Sequence, residues 1–170
     1  MFDLGGDLRP AGTGRRATWR IAALQANSGG GGAGLTAWEK QKELAQYRVR
    51  QAEESLDEAR FLLAGGKSAR SVINRAYYAM FYAVLALLVY EEFSSSKHSG
   101  VLSYFNRRFI KGGVFDKSLG LWLGKAFELR QRVDYREQVE PAQEQATQVL
   151  NQADRFVSAV TRHLGGAGRI

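Results

Sequence analysis

The side chains able to do chemistry gather in three short stretches. In NRAYYAMFYAVLALL, residues 74–88, Asn74, Tyr78 and Tyr82 recur at i, i+4 and i+8, and Arg75 leans toward the same side of Tyr78. On a helix that spacing makes one polar-tipped stripe. A guanidinium binds phosphate, and phenols stack on or hydrogen-bond a nucleobase, so the stripe has the makings of a nucleotide-binding wall. Tyrosine bodies filling a core with their hydroxyls at its rim, and Arg75 paired with a carboxylate, would give the same pattern for structural reasons alone.

The second stretch is LRQRVDYRE, residues 129–137. Arg130 and Asp134 stand four apart and can pair on a helix, with Arg132, Tyr135 and Arg136 crowded beside them. The third is SSSKHSG, residues 94–100, where Lys97 and His98 fall at an expected helix start. Exposed N–H groups there favour an anion, although a lone histidine in such a place is more often a cap or a surface group.

Several chemistries lack their residues. The chain has no cysteine, which removes thiolate nucleophiles, disulfides and cysteine-based metal sites. Its two histidines, His98 and His163, belong to no HExxH or ExxH pair, so no metal is expected. No GxxxxGK[ST] or GxSxG motif occurs, and no cofactor is expected.

The elements that must position these groups are helical. Thr36-Ala-Trp-Glu39 is a capping-box pattern, and apolar residues then recur at three and four until Gly65-Gly66. A second helix is expected from near Ser68 to about Phe93; it is apolar nearly all round, which makes it the central one. A third runs through Val101, Leu102, Phe105 and Phe109 to Gly112-Gly113. Asp116 can cap a fourth, with Leu119, Leu123, Phe127 and Arg130 in one stripe. Pro141 opens a fifth that Gly165-Gly166 ends. No alternating strand pattern of useful length appears. The reading is an all-α, up-and-down bundle of four to five helices.

A chain of 170 residues, 45% hydrophobic, suits one domain with a proper core. Residues 1–35 are glycine-rich, lack the pattern of a secretory signal and read as a disordered leader. Residues 36–164 form the expected domain, and residues 165–170 a disordered tail. Of the net charge of +7, five arginines against two aspartates in the glycine-rich ends account for +3, leaving +4 for the domain. That is a mild basic bias. The run Ala76–Tyr90 is shorter than the roughly 20 residues that span a bilayer, so a soluble, cytoplasmic protein with no membrane partner is expected.

Taken together, NRAYYAMFYAVLALL, SKHSGVLSYFNRRFI, LGKAFELRQRVDY and a C-terminal amphipathic helix resemble the HEPN domain, in its small stand-alone prokaryotic branch, over about residues 38–162. The resemblance implies a helical bundle that is usually a homodimer. It also implies frequent pairing with a minimal nucleotidyltransferase in toxin–antitoxin or related modules. Many such proteins are metal-independent ribonucleases with an Arg-x(4 to 6)-His motif brought together across the dimer. Arg130 matches the arginine, but Tyr135 stands where the histidine would be. A phenol with an ordinary pKa of about 10 is a poor base near neutral pH.

The expected function is therefore a nucleotide- or RNA-binding component that lacks the motif histidine. Asn74, Arg75, Tyr78, Tyr82, Lys97, His98 and Asp134 are its candidate binding residues. The alternatives are a ribonuclease toxin with a variant catalytic site at Arg130 and Tyr135, for which His98 is a further source of imidazole, and a purely structural helical dimer.

Overall fold

The computed structural model describes residues 34–135 and 141–170, apart from the side chains of residues 133–135. The expected leader lies almost entirely outside the described residues. Five α-helices follow one another: α1 (Ala37–Ala64), α2 (Ala69–Leu88), α3 (His98–Phe105), α4 (Lys117–Tyr135) and α5 (Gln143–Gly166). A π-helical turn, Asn106–Ile110, continues α3. Among the described residues there is no strand, and the all-α bundle read from the sequence is the fold observed.

Local sequence accounts for most helix ends. At the start of α1 the Thr36 hydroxyl accepts from the Glu39 N–H at 3.2 Å, and the Glu39 carboxylate accepts from the Thr36 N–H at 2.6 Å. The backbone hydrogen bond to Thr36 is the chief reason that the Glu39 carboxyl titrates below its usual range. At the start of α4 the Asp116 carboxylate accepts from the Ser118 N–H at 2.8 Å. Three helical segments close through glycine in the left-handed region: Gly66 (φ 62°), Gly113 (φ 73°) and Gly168 (φ 66°). In each the next residue donates back across the turn, Lys67 to Leu62, Val114 to Phe109 and Arg169 to Leu164, all at 2.9 Å. That is the Schellman arrangement.

Three boundaries differ from the sequence reading. Helix α2 stops at Leu88, not near Phe93, because tertiary partners claim the next residues. The Tyr90 hydroxyl donates to the Arg169 carbonyl, Glu91 accepts from Tyr104 and Arg108, and Phe93 stacks on Tyr104 at 4.1 Å. Pro141 lies just before the first turn of α5, since Ala142 is the N-cap residue. Helix α5 also continues through Gly165 and Gly166 before its turn at Gly168.

Helix α2 is the axis of the bundle. Thirteen of its residues, from Ala69 to Leu88, are buried, and α1, α4 and α5 pack around it, with α3 also against it. By length and composition α2 would pass for a membrane-crossing helix, but 72% of that stretch is buried inside the bundle. Its apolar surface is used by the core, where each fully buried side chain of Ile, Leu or Met size contributes roughly 1.5–3 kcal/mol of transfer free energy.

Candidate functional site

The central helix delivers two adjacent tyrosines in different directions. Tyr77 is fully buried, while Tyr78 is half-buried beside it. The four-residue spacing carries Asn74, Tyr78 and Tyr82 along one half-buried stripe. Within that stripe the Tyr78 and Tyr82 rings lie 5.9 Å apart, and the Asn74 amide oxygen accepts a long 3.4 Å bond from Arg75. Arg75 also pairs with Glu58 of α1 at 3.1 Å and lies over the Tyr78 ring at 5.4 Å.

From α4, Arg130 reaches the same two rings. Its guanidinium carbon is 5.3 Å from the Tyr77 centroid and 5.0 Å from that of Tyr78. Tyr78 thus has guanidiniums from two helices against its ring, a contact in which cation and ring quadrupole attract. From α3, the first residue, His98, turns inward. Its Nδ1 is 2.8 Å from the Tyr77 hydroxyl, and its ring stacks on Phe81 at 4.1 Å and meets the edge of Tyr78 at 6.1 Å. His98 and Arg130, 32 positions apart in the chain, therefore meet around one buried phenol.

The electrostatics follow from burial. Loss of water pushes the Tyr77 hydroxyl far above the ordinary range for a phenol, against the pull of Arg130. Burial, then the Arg130 charge, lowers the pKa of His98 below 6.5, which favours the neutral imidazole. Tyr82 is raised by burial first and by Tyr78 second.

His98 also forms part of the wall of a groove of about 920 Å³ between α1, α2 and the turn before α3. Phe81, Leu85 and Val101 are among its apolar lining, and Arg48, Arg50 and Lys97 are among its charged lining, with Glu43 the acidic member. Lys97 is the N-cap residue of α3 and is exposed. The turn before it is held by Ser95, whose hydroxyl accepts from the Lys97 N–H and donates to the Lys97 carbonyl, both at 3.1 Å. Asp134 and Tyr135 occupy the last turn of α4, and their side chains lie outside the described residues. No group of three or more metal-ligating side chains is found among the described residues.

Two members of the cluster were not singled out from the sequence. Tyr77 falls outside the i, i+4, i+8 register of Asn74, and Phe81 reads as ordinary core. The available signal for Tyr77 was its hydroxyl: a phenol on the buried face of a central helix requires a polar partner.

A helical bundle with arginine, histidine and tyrosine converging on its central helix defines the class, and sequence comparison identifies it. The HEPN domain matches residues 45–164. The chain is 43% identical over 124 residues to a UPF0332 protein of Thermotoga maritima, covering 73% of this chain and 92% of that one. Two Methanocaldococcus jannaschii proteins named as candidate toxins are 32% identical over 123 residues and 35% identical over 116. The first match covers 72% of this chain and 90% of the relative, the second 68% and 78%. The chain belongs to the HEPN domain family.

Proposed function

We propose that this protein is the RNA- or nucleotide-binding component of a toxin–antitoxin or nucleotidyltransferase-linked module. It works in the cytoplasm as a homodimer and binds its ligand by phosphate. The observation that carries the reading is the meeting of Arg130 with His98 around Tyr77. A permanently charged fork and an imidazole next to a groove whose lining includes Arg48, Arg50 and Lys97 suit a phosphate-bearing chain, and the tyrosine rings suit its bases. The names of the two archaeal relatives support the toxin–antitoxin setting. An isologous dimer about the Arg130 segment would bring two such clusters to one cleft, with Asp134 and Tyr135 beside them.

A ribonuclease has one specific observation in its favour: His98 supplies, from another helix, the imidazole that the Arg130 segment lacks, and its lowered pKa keeps it neutral near pH 7. One assay separates the readings. End-labelled single-stranded RNA is titrated with the protein in chelator, binding is followed by fluorescence anisotropy, and the RNA is then run on a denaturing gel. The expected result is binding of intact RNA, weakened about tenfold or more by Arg130→Ala, the size of a lost charged hydrogen bond. Cleavage abolished by both His98→Ala and Arg130→Ala would establish the ribonuclease. Absence of binding to RNA and to mononucleotides would leave only the structural dimer.

A further inference from the structure

We infer that Tyr77 is a positioning residue: its hydroxyl donates to His98 Nδ1 and holds the imidazole with its proton on Nε2. His98 then offers an N–H to a phosphate oxygen of the ligand instead of taking a proton from it. The ligand rests on the binding reading above; the proton's place does not.

The direction of the relay follows from an inventory of donors. The Arg130 guanidinium over the Tyr77 ring has only N–H groups, so it offers the phenol proton no acceptor. The hydroxyl keeps its own proton at any ordinary pH because it is buried. A buried donor without an acceptor costs roughly 1–3 kcal/mol, and the acceptor in reach is His98 Nδ1, at 2.8 Å. With Nδ1 accepting, a neutral imidazole carries its hydrogen on Nε2. The opposite arrangement, Nδ1–H donating to the phenol, would leave the buried hydroxyl hydrogen without that acceptor. The stack on Phe81 at 4.1 Å fixes the plane of the ring. Nε2 is the nitrogen left for a ligand, and the ring is part of the groove wall.

Such a histidine selects acceptors. A phosphodiester of RNA and the phosphate of a free nucleotide share that chemistry, so both are used as probes: a single-stranded oligouridylate and AMP. The first measurement is a long-range ¹H–¹⁵N correlation spectrum of uniformly labelled protein at pH 7, with the His98 signals identified by their loss in His98→Gln. The expected pattern is a neutral ring protonated at Nε2, turning to a tautomer mixture in Tyr77→Phe. The second measurement is affinity. His98→Ala is expected to weaken the bound probe about tenfold. His98→Gln, whose amide keeps an N–H near the Nε2 position but exchanges no proton, is expected to restore it to within about threefold. Tighter binding of the oligouridylate assigns the site to RNA, and tighter binding of AMP to a nucleotide. A ring protonated at Nδ1, or a glutamine variant as weak as the alanine one, overturns the inference. An Nε2–H ring in a protein that binds neither probe leaves the positioning role of Tyr77 standing and removes the binding reading.

Discussion

The hydroxyl of Tyr77 stands 2.8 Å from Nδ1 of His98, tying the middle of the buried central helix to the first residue of α3. His98 leads α3 with Lys97, not with a capping hydroxyl, at its N-cap. The inward hydrogen bond and the stack on Phe81 therefore help to anchor this short helix.

The first prediction concerns pH. Burial and Arg130 lower the pKa of His98 in the folded protein below its unfolded value of 6.5. The unfolded chain then takes up the proton first as pH falls. The stability contributed by the neutral ring is whole above 6.5 and is lost as pH drops through the lower, folded value. Tyr77 and Tyr78 on α2 and Arg130 on α4 are the polar groups that face the ring from neighbouring helices. Thermal midpoints measured from pH 7.5 to 5 should fall more steeply for the wild type than for His98→Gln. Equal slopes would show that His98 does not contribute.

The second prediction is that lysine will not replace Arg130. Its guanidinium lies over both Tyr77 and Tyr78, whereas an ammonium offers no plane to stack and is more strongly hydrated. Urea unfolding of Arg130→Lys should show a loss of about 1 kcal/mol. A double-mutant cycle of Arg130→Ala with Tyr78→Leu should give a coupling of about 0.5–2 kcal/mol. Additive losses would mean that the ring and the cation ignore each other.

The third prediction tests the contact that ends α2 early. The Tyr90 hydroxyl donates to the Arg169 carbonyl at 2.5 Å, and the Arg169 guanidinium lies over the Tyr90 ring at 4.9 Å. Tyr90→Phe keeps the ring and removes the bond, so urea unfolding should report a loss of roughly 1 kcal/mol. Removing Arg169 and Ile170 should cost more, since both the ring contact and the Ile170 packing on the core go with them.

These features divide according to how far apart in the chain their partners stand. The capping box at Thr36, the Asp116 cap and the glycines at 66 and 113 were legible because each is settled within a few residues by its own hydrogen bonds. The central helix was legible from apolar residues on nearly every face. The end of α2 was not, because Val89–Phe93 has no local stop signal before the serines; Tyr104, Arg108 and Arg169, distant in sequence, draw it out of the helix. The site was legible in part. Asn74, Tyr78 and Tyr82 share a stripe by periodicity alone, but that His98 meets Arg130 depends on how α3 and α4 both lie against α2. No spacing records that, and Tyr77 gains its role only through the meeting.

The last prediction contrasts two glycines in different surroundings. Gly112 follows the π-helical turn, and a Cβ built there would run into the carbonyl oxygen of Arg108, a backbone atom that has no rotamer to escape by. Gly112→Ala should therefore destabilise the protein by about 1–3 kcal/mol, the usual range for forced overpacking. Gly124 lies inside α4, and a Cβ there would meet nothing within 4 Å. Gly124→Ala should stabilise by about 0.5–1 kcal/mol, because alanine loses less backbone entropy in a helix interior. Urea unfolding of the two variants beside the wild type checks both signs. If Gly112→Ala proved as benign as Gly124→Ala, the turn that carries the chain from α3 into α4 would have to be looser than the Arg108 carbonyl allows.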